Sequence, residues 1–99
     1  MTLCIRYNPL PGKVAECDQW VKDQLVPFFC GHRECKSVRV LEDILIGDPE
    51  RTCLVELSDV CAATSILESE EAKQLKREFM EYACDFSSQI LNTQVIRTA

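Results

Sequence analysis

The chain is predicted to form an α+β domain whose elements run strand, helix, strand, strand, helix, strand. Three observations predict it. Four short segments alternate apolar and polar residues, two longer segments repeat apolar residues at helical spacing, and turn-forming residues separate most of them. Little of the 99-residue chain is left over, so one domain spanning 1–99 is expected.

The first strand is read over 2–8, with Leu3, Ile5 and Tyr7 on one face and Cys4, Arg6 and Asn8 on the other. Pro9 and Pro11-Gly12 stop it, because proline gives no donor to a ladder. Lys13 to about Phe29 reads as a helix on the spacing of Val14, Cys17, Val21, Leu25 and Phe28, with Trp20 beside that stripe. Pro27 is expected to end or kink this helix near Val26. The second strand is read over 36–46, irregular after Leu41, and the third over 51–58, joined by the turn Gly47-Asp48-Pro49-Glu50. Asp59 and Ser69 are suitable N-caps for two further helical stretches. The second of these is expected to run through Ala72, Leu75, Phe79, Tyr82 or Ala83, and Phe86. Ser87-Ser88 breaks the pattern, and Gln89 to Thr98 reads as the last strand. Leu3, Ile5, Val14, Val21, Val38, Val40, Val55, Leu57, Leu75 and Phe79 are the expected core. Right-handed crossovers place both main helices on one sheet face. The prediction is a ferredoxin-like βαββαβ unit with an antiparallel sheet in the order 4-1-3-2.

Composition narrows the function classes. The apolar and charged fractions, 46% and 27%, are those of an ordinary globular protein. A net charge of −5 with scattered basic residues argues against a nucleic-acid partner. No apolar run approaches the roughly 18 residues that a membrane span needs. The N-terminus carries no basic segment followed by a long apolar core, so a cytoplasmic location is expected. The cysteine count of seven is odd, which argues against a disulfide framework and for reduced, packing cysteines.

The sheet face away from the helices is expected to carry Cys4, Arg6, Asn8, Arg39, Leu41, Leu54 and Glu56. It is part apolar, with Glu56 on a strand between those of Arg6 and Arg39. Such a face is either solvated or covered by a partner. Arg6, Arg39 and Glu56 are the candidate interface residues.

The segments from Tyr7 to Lys13, Val38 to Asp43, Asp48 to Arg51, Leu54 to Leu57 and Asp59 to Ser69 together resemble the dimeric α+β barrel superfamily. The likeness covers nearly the whole chain and is nearest the antibiotic biosynthesis monooxygenase branch. It implies a homodimer in which two sheets pack face to face with helices outside. Members include cofactor-free monooxygenases, haem-degrading enzymes, isomerases and proteins without known activity. The branch usually carries a His three residues before the Ser of the second helical region, and an aromatic just after the Glu that ends the third strand. Here those places hold Ile66 and Leu57.

Tyr7, Trp20 and Tyr82 are candidates to line a pocket for an apolar or aromatic organic molecule, or else to fill the core. His32 is the one histidine. In Cys30-Gly31-His32-Arg33-Glu34-Cys35 it has cysteine neighbours, but not the paired spacing of a structural zinc site, so no metal is expected. The glycines are isolated and match no phosphate-binding fingerprint, and no cofactor is expected. Two functions remain. One is a small dimeric protein that binds or oxidises a small apolar or aromatic molecule. The other is a self-associating module with no ligand.

Overall fold

The structure is a computed structural model, and it describes residues 1–98. Strand β1 (Thr2–Pro9) leads into α1 (Val14–Trp20), a π-helical turn (Val21–Leu25) and α2 (Val26–Cys30). Strands β2 (Cys35–Glu42) and β3 (Arg51–Leu57) follow, then α3 (Val60–Leu67), α4 (Glu70–Phe79) and β4 (Ala83–Leu91). The sheet is antiparallel in the order β2-β3-β1-β4, which is the expected order read from the other edge. The helices pack on one face. The molecule is a slab of 39 × 38 × 19 Å with its other sheet face uncovered. Among the described residues no helix is long and apolar enough to cross a membrane.

Strand parity builds the core. Leu3, Ile5 and Tyr7 lie opposite Val55, Cys53 and Arg51, and this set faces the helices. Leu3, Val21, Val55, Leu57 and Phe79 are buried as expected, and Ile5, Val38 and Leu75 pack half-buried against them. Val14 and Val40 are 40% and 39% exposed. Val14 is the first residue of α1, and Val40 lies on the edge strand β2, so neither has neighbours on all sides.

Pro27 does not end the first helix. The chain winds as a π turn over Val21–Leu25, and the Val26 N–H bonds to the Val21 carbonyl. Pro27 then falls in the first turn of α2, where its missing donor is not needed, and the helix runs on to Cys30. Both expected N-caps form: Asp59 accepts from the Ala62 N–H at 2.7 Å and Ser69 from the Ala72 N–H at 3.1 Å.

Two boundaries differ from expectation. Strand β2 ends at Glu42, because Asp43 Oδ1 accepts from the Leu45 and Ile46 N–H groups at 2.8 and 3.2 Å. That local turn takes residues 43–50 out of the sheet, with Ile44 92% exposed. At the other boundary, α4 stops at Phe79 and β4 is already formed at Ala83, and it ends at Leu91 rather than Thr98 because its partner β1 begins at Thr2, opposite Leu91. A bulge explains the misreading. Asn8 pairs with Cys84 but Arg6 with Ser87, so Tyr7 faces two residues, and Asp85 takes a φ of 55°. The extra residue turns Ala83 and Phe86, three apart, to the same side. A bulged strand thereby imitates helical spacing.

Leu57→Ala, at a fully buried site, is expected to cost about 2–5 kcal/mol. Lys76→Ala, on the exposed side of α4, should stay within about 0.5 kcal/mol. Urea denaturation of both variants makes the comparison.

Candidate functional site

The helix side of the sheet brings the predicted aromatics together. Phe79 is the hub: its ring lies 4.8 Å edge-on from Tyr7 and 4.8 Å stacked from Trp20. Trp20 stacks on Tyr82 at 6.0 Å, and Phe86 closes the layer 4.9 Å from Phe79. These rings fill the space between helices and sheet. Trp20 and Tyr82 also border an open surface groove of ≈ 450 Å³ with Gln19, Asp23 and Gln24, and Tyr7 takes no part in it. His32 lies apart from the aromatics. Its Nδ1 is 2.9 Å from the Phe28 carbonyl, which can only accept, so Nδ1 carries the proton. The ring borders a small cleft of ≈ 260 Å³ beside Glu34, Ser65 and Glu71.

The site that the sequence reading missed lies on Arg51. It is the buried charged residue of the described core, 7% exposed. Its Nε and NH2 donate to the two Asp18 oxygens, each at 3.1 Å, a two-pronged pair across from α1. NH1 donates to Glu50 Oε1 at 3.0 Å and lies 3.8 Å from Glu42. The Asp18 hydrogen bonds, first among the causes, hold the guanidinium above even its ordinary value. Parity was the available signal: Arg51 shares the alternation of Cys53, Val55 and Leu57, so a charge stood in the buried phase of a strand.

Arg51 and Asp18 border a groove of ≈ 380 Å³ between the first helix and the β2 edge. Val21, Val26 and Val40 give it apolar walls, Lys22 and Glu42 complete its polar rim, and Leu41 borders it at the strand edge. The π turn makes this wall. Five residues apart on an α-helix of 3.6 residues per turn, Val21 and Val26 would point well away from each other. The wider π turn brings them nearly into line, because its bonds span five residues.

Within the field of the Asp18–Arg51 pair lies an unsatisfied atom. The Tyr7 hydroxyl is fully buried and has no hydrogen-bond partner. Burial pushes its phenol well above the usual value. The fields of Cys17, Cys53 and Asp18 add to this, and Arg51 opposes it. The phenol is therefore a neutral donor. Burial also drives Cys17 up to about 11 and Cys53 to about 12, so both stay thiols at neutral pH. The Tyr7 hydroxyl thus stays a buried donor in the field of the Asp18–Arg51 pair, while the guanidinium's own donors are taken by Asp18 and Glu50.

On the open face, Arg6, Arg39 and Glu56 do not form one network. Glu56 accepts from Thr2 Oγ1 at 2.7 Å and from the Met1 amine at 3.0 Å, and these contacts hold its carboxyl below the usual range. Arg6 donates to Gln89 at 2.8 Å, and among the described residues Arg39 has no ion pair. Register is the cause. Glu56 stands opposite Thr2 and Ser37, whereas Arg6 faces Thr52 and Arg39 faces Leu54. Among the described residues no group of three or more His, Cys, Asp or Glu is placed to hold a metal ion.

No protein-family model matches the sequence, and no curated protein does either. Solved structures do match it. SnoaB, a cofactor-independent oxygenase from Streptomyces nogalater, superposes with a TM-score of 0.79 at 12% identity, over 96% of this chain and 93% of that one. The chain has its fold. A provisionally named antibiotic biosynthesis monooxygenase from Deinococcus radiodurans matches at TM-score 0.77 and 13% identity, over 100% and 99% of the two chains. A conserved protein from Methanosarcina mazei matches at 0.75 and 20%, over 94% and 92%. At these identities the likeness is one of fold, the ferredoxin-like α+β fold that the alternation patterns predict.

Tyr7→Phe removes a buried hydroxyl that has no partner. It is expected to raise the stability of the unliganded protein by about 1 kcal/mol, the relief of an unmet desolvation cost. A loss of stability in chemical denaturation would show that the hydroxyl is bonded after all.

Proposed function

We propose that the chain, one domain over 1–99, is a cytoplasmic homodimer of the α+β barrel type that binds a small apolar or aromatic organic molecule in the groove beside Arg51. The observation that carries this reading is the Tyr7 hydroxyl, a buried donor without an acceptor next to the Asp18–Arg51 pair. Buried polar groups are otherwise almost always bonded, and a ligand oxygen is one group that would complete this one. The naming of SnoaB as an oxygenase supports oxidation of that ligand as the reaction.

A second reading, a self-associating module without ligand, is favoured by a specific observation. Ile66 and Leu57 stand where the resembled branch carries a histidine and an aromatic, and both are buried in the core. A thermal-shift panel of aromatic metabolites separates the two. A ligand at 100 times its Kd should stabilise the protein by roughly 2.7 kcal/mol, and Tyr7→Phe should shrink that gain. No shift across the panel would favour the module.

Association is supported by the uncovered sheet face, on which Leu54 is half-buried and Leu41 and Leu91 are exposed. The exposed Ile44, Leu45 and Ile46 lie just beyond the end of β2. A two-fold axis covers such a patch with its own copy. Arg6, Arg39 and Glu56 then lie at the seam. Light scattering at micromolar concentration should give twice the 11.3 kDa chain mass, and Leu54→Asp should return it to one. A wild-type monomer would leave the sheet face to water and reject the barrel.

A further inference from the structure

Cys30 and Cys35 stand at the two ends of a tight turn. Cys30 closes α2 and is exposed, and Cys35 opens β2 half-buried against the core. Backbone bonds fold the chain back between them. Gly31 N–H donates to the Pro27 carbonyl at 2.9 Å, His32 to Phe29 at 3.1 Å and Cys35 to His32 at 3.0 Å. Gly31 keeps the turn close, since a Cβ there would lie 3.3 Å from the Pro27 oxygen. The reversal sets the two thiols close enough for Cys30 to act on Cys35, and Cys35 Sγ donates to the Ser37 carbonyl at 3.7 Å. The remaining cysteines are placed differently. Cys4, Cys17 and Cys53 are sealed in the fold, and Cys61 and Cys84 lie on separate elements, α3 and β4.

We infer that Cys30 and Cys35 form an oxidisable dithiol, at which a hydroperoxide is reduced while an intramolecular disulfide forms. Cys30, open to solvent, meets the oxidant. Its sulfur attacks the peroxide, an S–O bond forms and the O–O bond breaks. The departing oxygen takes the Cys30 proton and leaves as water, or as an alcohol if the oxidant is organic. The Cys35 sulfur then attacks the Cys30 sulfur. An S–S bond forms, the S–O bond breaks, and hydroxide leaves with the Cys35 proton as water. The two thiols lose two electrons and the hydroperoxide gains them. Burial first, and Cys30 beside it, raise the Cys35 thiol, so Cys35 is not the group that meets the oxidant, and it attacks through its minor thiolate form once Cys30 is a sulfenic acid. The bridge would tie the end of the first helix to the start of β2.

The test uses the reduced full chain, titrated with hydrogen peroxide, blocked with N-ethylmaleimide under denaturing conditions and digested with trypsin. Cleavage after Arg33 and Lys36 frees Glu34-Cys35-Lys36 from the Cys30 peptide unless a bridge holds them. The expected result is that the two peptides stay joined and come apart with dithiothreitol, while the count of blocked thiols falls by two from seven. Cys35→Ser should stop at a sulfenic acid on Cys30 that dimedone traps. Oxidation of Cys30 to sulfinic acid with no bridge, a bridge from Cys30 to another cysteine, or bridges only between chains would overturn the inference.

Discussion

Strand β1 is hydrogen-bonded along both edges, and its pleat assigns its neighbours to one of two faces. With Tyr7 on the helix side, Arg51 opposite it must lie there too. A guanidinium in that layer needs a carboxylate close at hand, and α1 supplies Asp18. The position of the first helix over β3 is therefore set by charge as well as by apolar packing. Removing Arg51 would leave three carboxylates facing one another without the cation that gathers them. The groove lies beside this pair, between the first helix and the β2 edge.

Much of this was legible in the sequence where the signal is local. The alternation of β1, the caps Asp59 and Ser69 and the order of elements all rest on residues within a few positions of one another. Signals failed where two local rules compete. The apolar run from Leu41 to Ile46 reads as strand, but Asp43 captures its own backbone and ends the pairing. The apolar spacing from Phe79 to Phe86 reads as helix, but a bulge produces the same spacing in a strand. The aromatics were recognised as a group because each lies on or beside an apolar stripe of its own segment. Whether they surround a space or fill one depends on Phe79, whose central place is a tertiary fact. The charges of the open face were out of reach for a related reason. Parity puts Arg6, Arg39 and Glu56 on that face, but only register tells which stand opposite one another.

The two sheet faces divide the chain's properties. The helix side holds the groove, the buried donors and the sealed thiols of Cys17 and Cys53. The open side holds exchangeable polar contacts, such as Arg6 with Gln89, among scattered apolar groups. A surface of that kind can associate and dissociate without exposing the core. Leu57 and Ile66 carry a further implication for the interior. Each is fully or almost fully buried, so neither position is free to accept an imidazole or a ring without repacking its neighbours.

The bulge at Asp85 has a genealogical consequence. It adds one residue to an edge strand, and its left-handed backbone bears the kink. If Asp85 were lost, Phe86 would still meet Tyr7, with Cys84 and Ala83 still beside Asn8 and Pro9, so no side chain would change face. A deletion elsewhere in the paired part of β4 would turn part of the strand over. Descendants of this chain can therefore differ in length by one residue at this point and keep the same interior, and an alignment gap there marks no change of fold.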